Sequence, residues 1–186
     1  MRYAVLACGV KKTLRHPKAQ ACQRKAFEQK IESYKRVGKP IVYLDESGFA
    51  QDMPRTHGYA LGGKRCYGQQ DWQAKGRTNV IGALWGKDLL TVSLFKGNIN
   101  SEVFHAWVTQ DLLPKVPPNA VIVMDNATFH KRHDTQKSIE EAGCILEYLP
   151  TYSPDLNPIE QKWAKAKALR RKLRCEVTAI FAHHLS

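Results

Sequence analysis

Apolar residues fall in short runs separated by stretches of helical spacing. Residues 11 to 37 carry Ala21, Phe27, Ile31 and Tyr34 at loosely helical intervals in a basic segment, which predicts a helix ended by Gly38-Lys39-Pro40. Ile41 to Leu44 is a continuous apolar run, suited to a strand buried on both faces, and Asp45-Glu46-Ser47-Gly48 is expected to close it. Residues 50 to 76, rich in Gly and polar groups with Tyr59, Tyr67 and Trp72 among them, read as a hairpin or long loop. Asn79 to Trp85 and Leu89 to Phe95 predict two strands joined by a turn at Gly86-Lys87-Asp88. Ser101 to Leu113 predicts a helix with Val103, Phe104, Trp107, Val108 and Leu112 on one side, capped by Ser101 and stopped by Pro114, Pro117 and Pro118. Ala120 to Met124 repeats the doubly buried strand pattern and ends at Asp125-Asn126. A helix over 134–142, a strand over 145–149 and a long basic helix over 157–173 complete the chain.

The order is a strand, a hairpin of strands, then helix, strand, helix, strand, helix. It is that of an α/β ribonuclease H-like fold, a mixed sheet flanked by helices on both faces. The expected division is a basic helical linker over 1–38 and a catalytic domain over 39–186, without internal repeats.

Charge changes the picture. The net charge is +12, and residues 1 to 40 hold eleven Lys and Arg against only Glu28 and Glu32. The run Lys162, Lys165, Lys167, Arg170, Arg171, Lys172, Arg174 contains no acid. Two basic ends around a nearly balanced middle point to a polyanionic partner, and nucleic acid fits best. Such a charge fits neither a small-molecule phosphatase nor a response-regulator receiver, and Asp45-Glu46-Ser47 lacks the D-x-D pattern of the former. The apolar start Tyr3 to Cys8 runs almost at once into Lys11-Lys12, which argues against secretion. Five scattered cysteines (Cys8, Cys22, Cys66, Cys144 and Cys175) without C-x-x-C spacing read as reduced thiols of a cytosolic protein.

Three acids stand at comparable places: Asp45 and Asp125 after the two buried apolar runs, and Glu160 at the opening of the last long helix. Each has a structural reading. Asp45 can be a strand-end turn residue, and Asp125-Asn126 an ordinary turn. Asn157-Pro158-Ile159-Glu160 has the form of a capping box with proline at the first helical position. These readings give no reason for three acids at one sheet edge. If the two strands are neighbours, Asp45 and Asp125 lie side by side and repel unless one is protonated or a cation intervenes. Hard oxygen donors suit Mg2+ or Mn2+, and a third acid allows two ions acting on a phosphodiester.

The blocks Val42 to Phe49, Val121 to Lys131 and Leu149 to Glu160 resemble the three signature blocks of mariner-superfamily DDE transposases, nearest to the bacterial insertion sequence 630 branch. Thirty-four residues separate Asp125 from Glu160, as in that branch. The resemblance implies that Asp45, Asp125 and Glu160 are catalytic and metal-binding. It implies too that Asn126 orients the loop after the second acid, and that Asn157 and Pro158 aim Glu160. It further implies cut-and-paste transposition at TA targets, DNA partners in the form of element ends and target, a homodimer on paired ends, and a bacterial cytoplasmic, nucleoid-associated setting. Members usually carry an N-terminal helix-turn-helix region; residues 1 to 40 read instead as the tail of a linker, as in a frameshift product or a decayed copy. The competing expectation is therefore a catalytically silent remnant that only binds DNA or inhibits its relatives.

Other candidates are secondary. Lys162, Lys165, Arg170, Arg171 and Arg174 are expected to face DNA, with His130 and Lys131 at phosphate or plain surface. His130 and His133 lack a third ligand nearby, and His183-His184 reads as tail. Tyr59, Tyr67, Trp72 and Trp85 suit base stacking or sheet packing equally. Arg55 and His57 are further candidates for the substrate backbone.

Overall fold

The computed structural model describes Lys18 and residues 20–51 and 76–184. The expected loop over 50–76 and its Arg55, His57, Tyr59, Tyr67 and Trp72 lie almost wholly outside the described residues. Helix α1 (Ala21–Arg36) leads into strand β1 (Ile41–Ala50). Then come β2 (Arg77–Trp85), β3 (Asp88–Phe95), α2 (Ser101–Trp107) with a π-helical turn over Val108–Leu112, and β4 (Val121–Met124). The chain continues through a 3-10 turn (Thr128–Lys131), α3 (His133–Glu141), β5 (Ile145–Tyr148) and a second 3-10 turn (Pro154–Leu156). Helices α4 (Ile159–Leu173) and α5 (Val177–Ile180) and a final 3-10 turn (Ala182–His184) follow. Among the described residues no helix is long and apolar enough to cross a membrane.

The five strands form one sheet in the order β3-β2-β1-β4-β5. β1 is the central strand and changes the sense of the sheet. It pairs antiparallel with β2 from Val42↔Trp85 to Ala50↔Arg77, and parallel with β4 only from Ile41↔Val121 to Tyr43↔Val123. This corrects the expected end of β1. Asp45 to Gly48 continue the strand because β2 goes on pairing with them after β4 has stopped.

Alternation along the central strands sorts the core into two layers. Val42, Leu44, Ile122 and Met124 pack with Phe104, Trp107 and Ile139 of α2 and α3. On the other face, Ile41, Val121 and Val123 meet Phe27 and Ile31 of α1. Phe49, Val80, Leu84 and Val92 on that side meet Ile159 and Trp163 of α4 and Val177 of α5. α1 thus covers part of this face of the sheet. Arg24, nearly buried, adds a bidentate pair to Asp155 at 2.8 and 2.6 Å, and Lys30 and Tyr34 both reach Glu147.

Two helix starts differ from expectation. α2 is capped by Asn100, whose side chain accepts from the Val103 amide at 2.9 Å, rather than by Ser101. α4 begins at Ile159, and no side chain caps it, so the capping box is not made. The Asn157 amide points away from the helix and donates to the Leu44 carbonyl of β1 at 3.0 Å.

Candidate active site

The three acids meet at the end of the parallel half of the sheet. The register of β1 with β4 continues Tyr43↔Val123 toward Asp45 and Asp125, and β4 ends at Met124, one residue before the second acid. Glu160 lies in the first turn of α4, the helix that crosses β1 on the same face. All three line one pocket of about 260 Å³, whose wall includes Asn126, Pro150, Tyr152 and Asn157. Ligands of open α/β sheets bind in such crevices beyond the carboxyl ends of strands, where the strand order reverses, here between β1 and β4. Asn157 fixes the relation between elements, since its bond to Leu44 ties the start of α4 to the residue before Asp45.

The electrostatics follow from this convergence. Burial, then the charges of Glu160 and Glu46, push Asp45 up from 3.8 to about 8, with Asp125 adding to the push and the Glu46 amide opposing it. The Trp163 indole N–H donates to Asp45 Oδ2 at 2.9 Å. Trp163 is 1% exposed and sits one turn after Glu160, so a single helix presents the third acid and holds the first. Its ring lies over Gly82, the residue opposite Asp45 on β2, where a Cβ would come within 2.6 Å of the indole. Only glycine admits that approach.

Asp125 is held differently. Its Oδ1 accepts from the Ala127 amide at 2.9 Å and lies 2.6 Å from Nδ1 of His130, whose Nε2 is 2.8 Å from Glu46 Oε1. Burial works to raise the Asp125 carboxyl, but the His130 bond, the Ala127 amide and the imidazolium charge outweigh it and keep it below the usual range. Burial would likewise lower His130, yet the bonds and charges of its two carboxylate partners hold it up at about 9. Among the described residues Glu160 makes no side-chain hydrogen bond or ion pair, and no side chain caps the helix start beside it.

Two expected DNA contacts are corrected. His130 is 1% exposed, packed between Phe104 and Phe129, with both ring nitrogens taken by carboxylates, so it offers nothing to a phosphate. Arg170 is 6% exposed, and its guanidinium is turned inward onto the carbonyls of Ala50, Gln51 and Cys175. Lys131, Lys165 and Arg174 are exposed, and Lys162 and Arg171 partly so. Asn126 is exposed on the pocket wall, and Pro158 directly precedes α4. Trp85 is 48% exposed at the β2–β3 turn, away from the pocket lining.

Sequence reasoning missed Trp163, Gly82 and the Glu46–His130 pair. The signals were present for two of them: Trp163 is three residues after Glu160 on one helical flank, and His130 lies within the block that carries Asp125. Gly82 gave no local sign, since its role depends on a helix eighty residues away.

Three carboxylates lining one pocket, with Asp45 raised by burial and by the charges of its acidic neighbours, fit a hard divalent cation by the chemistry of the set. Among the described residues no three such groups already stand close enough to chelate an ion as they are.

The mixed sheet with acids at its switch point defines a class, the carboxylate nucleases of ribonuclease H-like fold. Within it the chain belongs to the DDE superfamily endonucleases, whose family model matches residues 40–177. Its structure is similar to Mos1 transposase in a paired-end complex with the left transposon end (TM-score 0.66, 18% identity, 88% of this chain and 54% of that one). It is similar to the mariner Mos1 paired-end complex with Mg (TM-score 0.67, 19% identity, 85% and 52%). The Mos1 mariner catalytic domain also aligns (TM-score 0.54, 16% identity, 83% and 76%). The chain spans about half the length of the first two proteins. At these identities the likeness establishes the fold. No curated protein matches the sequence.

Proposed function

We propose that this chain is the catalytic part of a cut-and-paste DNA transposase of mariner type, with Asp45, Asp125 and Glu160 as its metal-binding catalytic acids. The observation that carries the reading is the meeting of these three acids in one pocket at the switch point of a DDE-family sheet. Bound between the acids, two Mg2+ or Mn2+ ions would supply Lewis acidity toward a phosphodiester and lower the pKa of an attacking hydroxyl or water.

The chain's own part is to hold the donors. Trp163 orients Asp45, the Ala127 amide and His130 orient Asp125, and Asn157 anchors the turn from which Glu160 projects. The net charge of +12 and the outward Lys131, Lys162, Lys165, Arg171 and Arg174 support DNA as the partner, both element ends and target. The similar Mos1 transposase structures are paired-end complexes, one of them with Mg, which supports a homodimer on paired ends and a divalent ion here. Kinship nearest to the bacterial insertion sequence 630 branch, TA targeting and a bacterial, nucleoid-associated setting rest on the three signature blocks.

The test is nicking of plasmid DNA by the purified chain with Mg2+ or Mn2+. Metal-dependent nicking that disappears in Asp125→Asn supports the reading, and an Asp125→Asn variant that nicks as well as the parent refutes the assignment. DNA binding with no nicking supports a catalytically silent DNA-binding role instead.

A further inference from the structure

We propose that His130 and Glu46 form a positioning pair for Asp125, referencing the second acid to the strand that carries the first. The proposal rests on the reading of Asp125 as a metal-binding acid.

Asp125 lies just past β4, where the sheet stops fixing the chain; the bond from the Leu149 amide to the Met124 carbonyl is the ladder's last beside it. Its side chain is 47% exposed. Left to itself, such a carboxylate samples several rotamers, and an ion must pay to order it. Glu46 is in the opposite situation. It sits inside β1, paired with Ile81 across the ladder, and points to the α2 and α3 face of the sheet while Asp45 points to the α4 face.

His130 connects the carboxylate beyond the strand to the one inside it. Its ring lies with Phe104 at 4.3 Å and Phe129 at 4.1 Å between centroids, so packing sets its plane. Each nitrogen meets one carboxylate, at 2.6 Å to Asp125 and 2.8 Å to Glu46. Two carboxylate partners require two N–H donors, which fixes both ends of the bridge at once. Because Glu46 immediately follows Asp45, the bridge sets Asp125 relative to the backbone of the first acid. Groups behind metal-binding side chains commonly change metal affinity 10- to 100-fold when removed.

The test is Mn2+ affinity of the whole chain, read as loss of the free-ion signal by electron paramagnetic resonance, with a thermal melt of each variant. His130→Leu keeps an apolar filler between the two phenylalanines and removes both bonds. His130→Asn places an amide N–H near the Nδ1 position. The pair predicts about 10-fold weaker binding in His130→Leu, recovery of most of that loss in His130→Asn, and an intermediate loss in Glu46→Gln, which leaves the packing untouched. A purely structural His130 gives the reverse order, with Leu near wild type and Asn worse, and overturns the proposal. So does wild-type affinity in both His130→Leu and Glu46→Gln while Asp125→Asn loses binding, a result that spares Asp125 itself. Unchanged affinity in Asp125→Asn sinks the underlying reading and the proposal together.

Discussion

Asp45→Asn is expected to make the metal-free chain more stable, and increasingly so as pH rises. The acid's folded value is about 8 against an ordinary 3.8, chiefly through burial and the charge of Glu160. Below the ordinary value the group is neutral in both states and no penalty exists. Between the two values the unfolded chain has released the proton while the folded chain keeps it, so stability falls with each pH unit. Above about 8 the folded chain carries the whole cost. At about 1.4 kcal/mol per pH unit, the span from 3.8 to about 8 amounts to roughly 5–6 kcal/mol. Water reaching the open pocket relieves part of this, so about 2–4 kcal/mol is the expected gain of the asparagine variant above the window. That is a large share of a domain stability of about 5–15 kcal/mol. Urea unfolding of both proteins without metal, at pH values on either side of the window, measures it. With saturating Mn2+ the order should invert, since only the parent gains from the bound ion. Equal stabilities of parent and variant across the whole window would refute the claim that this carboxylate is held uncompensated among like charges.

Other expectations follow from single contacts. Trp163→Phe keeps most of the packing but deletes the donor to Asp45, and should lower stability by about 1–3 kcal/mol in urea unfolding. Gly82→Ala puts a methyl group against the Trp163 ring and should destabilise by about 1–3 kcal/mol while weakening Mn2+ binding, both read on one preparation. Arg174, exposed at the C-terminal end of α4 with φ of 51°, holds a left-handed conformation that suits glycine, so Arg174→Gly should stabilise by about 1 kcal/mol in a thermal melt.

The strands that carry the acids were legible because parallel strands buried on both faces leave continuous apolar runs, as at Ile41 to Leu44 and Ala120 to Met124. Asp45, Asp125 and Glu160 could be singled out because each follows or opens such an element. The length of β1 beyond Asp45 was not legible, since it depends on β2, whose pairing residues lie 27 to 35 positions further along the chain. Asn157 and Asn100 show the limit of capping patterns. Asn157 has the right spacing for a cap, yet its side chain is drawn to the Leu44 carbonyl, while Asn100 caps α2 from a position the pattern assigned to Ser101. Charge patterning misled at Arg170 and His130 for a shared reason. A basic side chain in a basic stretch looks solvated until the fold supplies buried carbonyls or carboxylates around it. The same holds for α1, where the basic surface conceals Phe27 and Ile31, which dock it on the sheet.

The most direct test of the central claim is a crystal of this chain soaked in Mn2+ and examined by anomalous scattering. The account predicts a peak between the carboxylates of Asp45 and Asp125 with Glu160 beside it. Ordered carboxylates with no peak there at saturating Mn2+, or a peak elsewhere with the three acids apart, would contradict it.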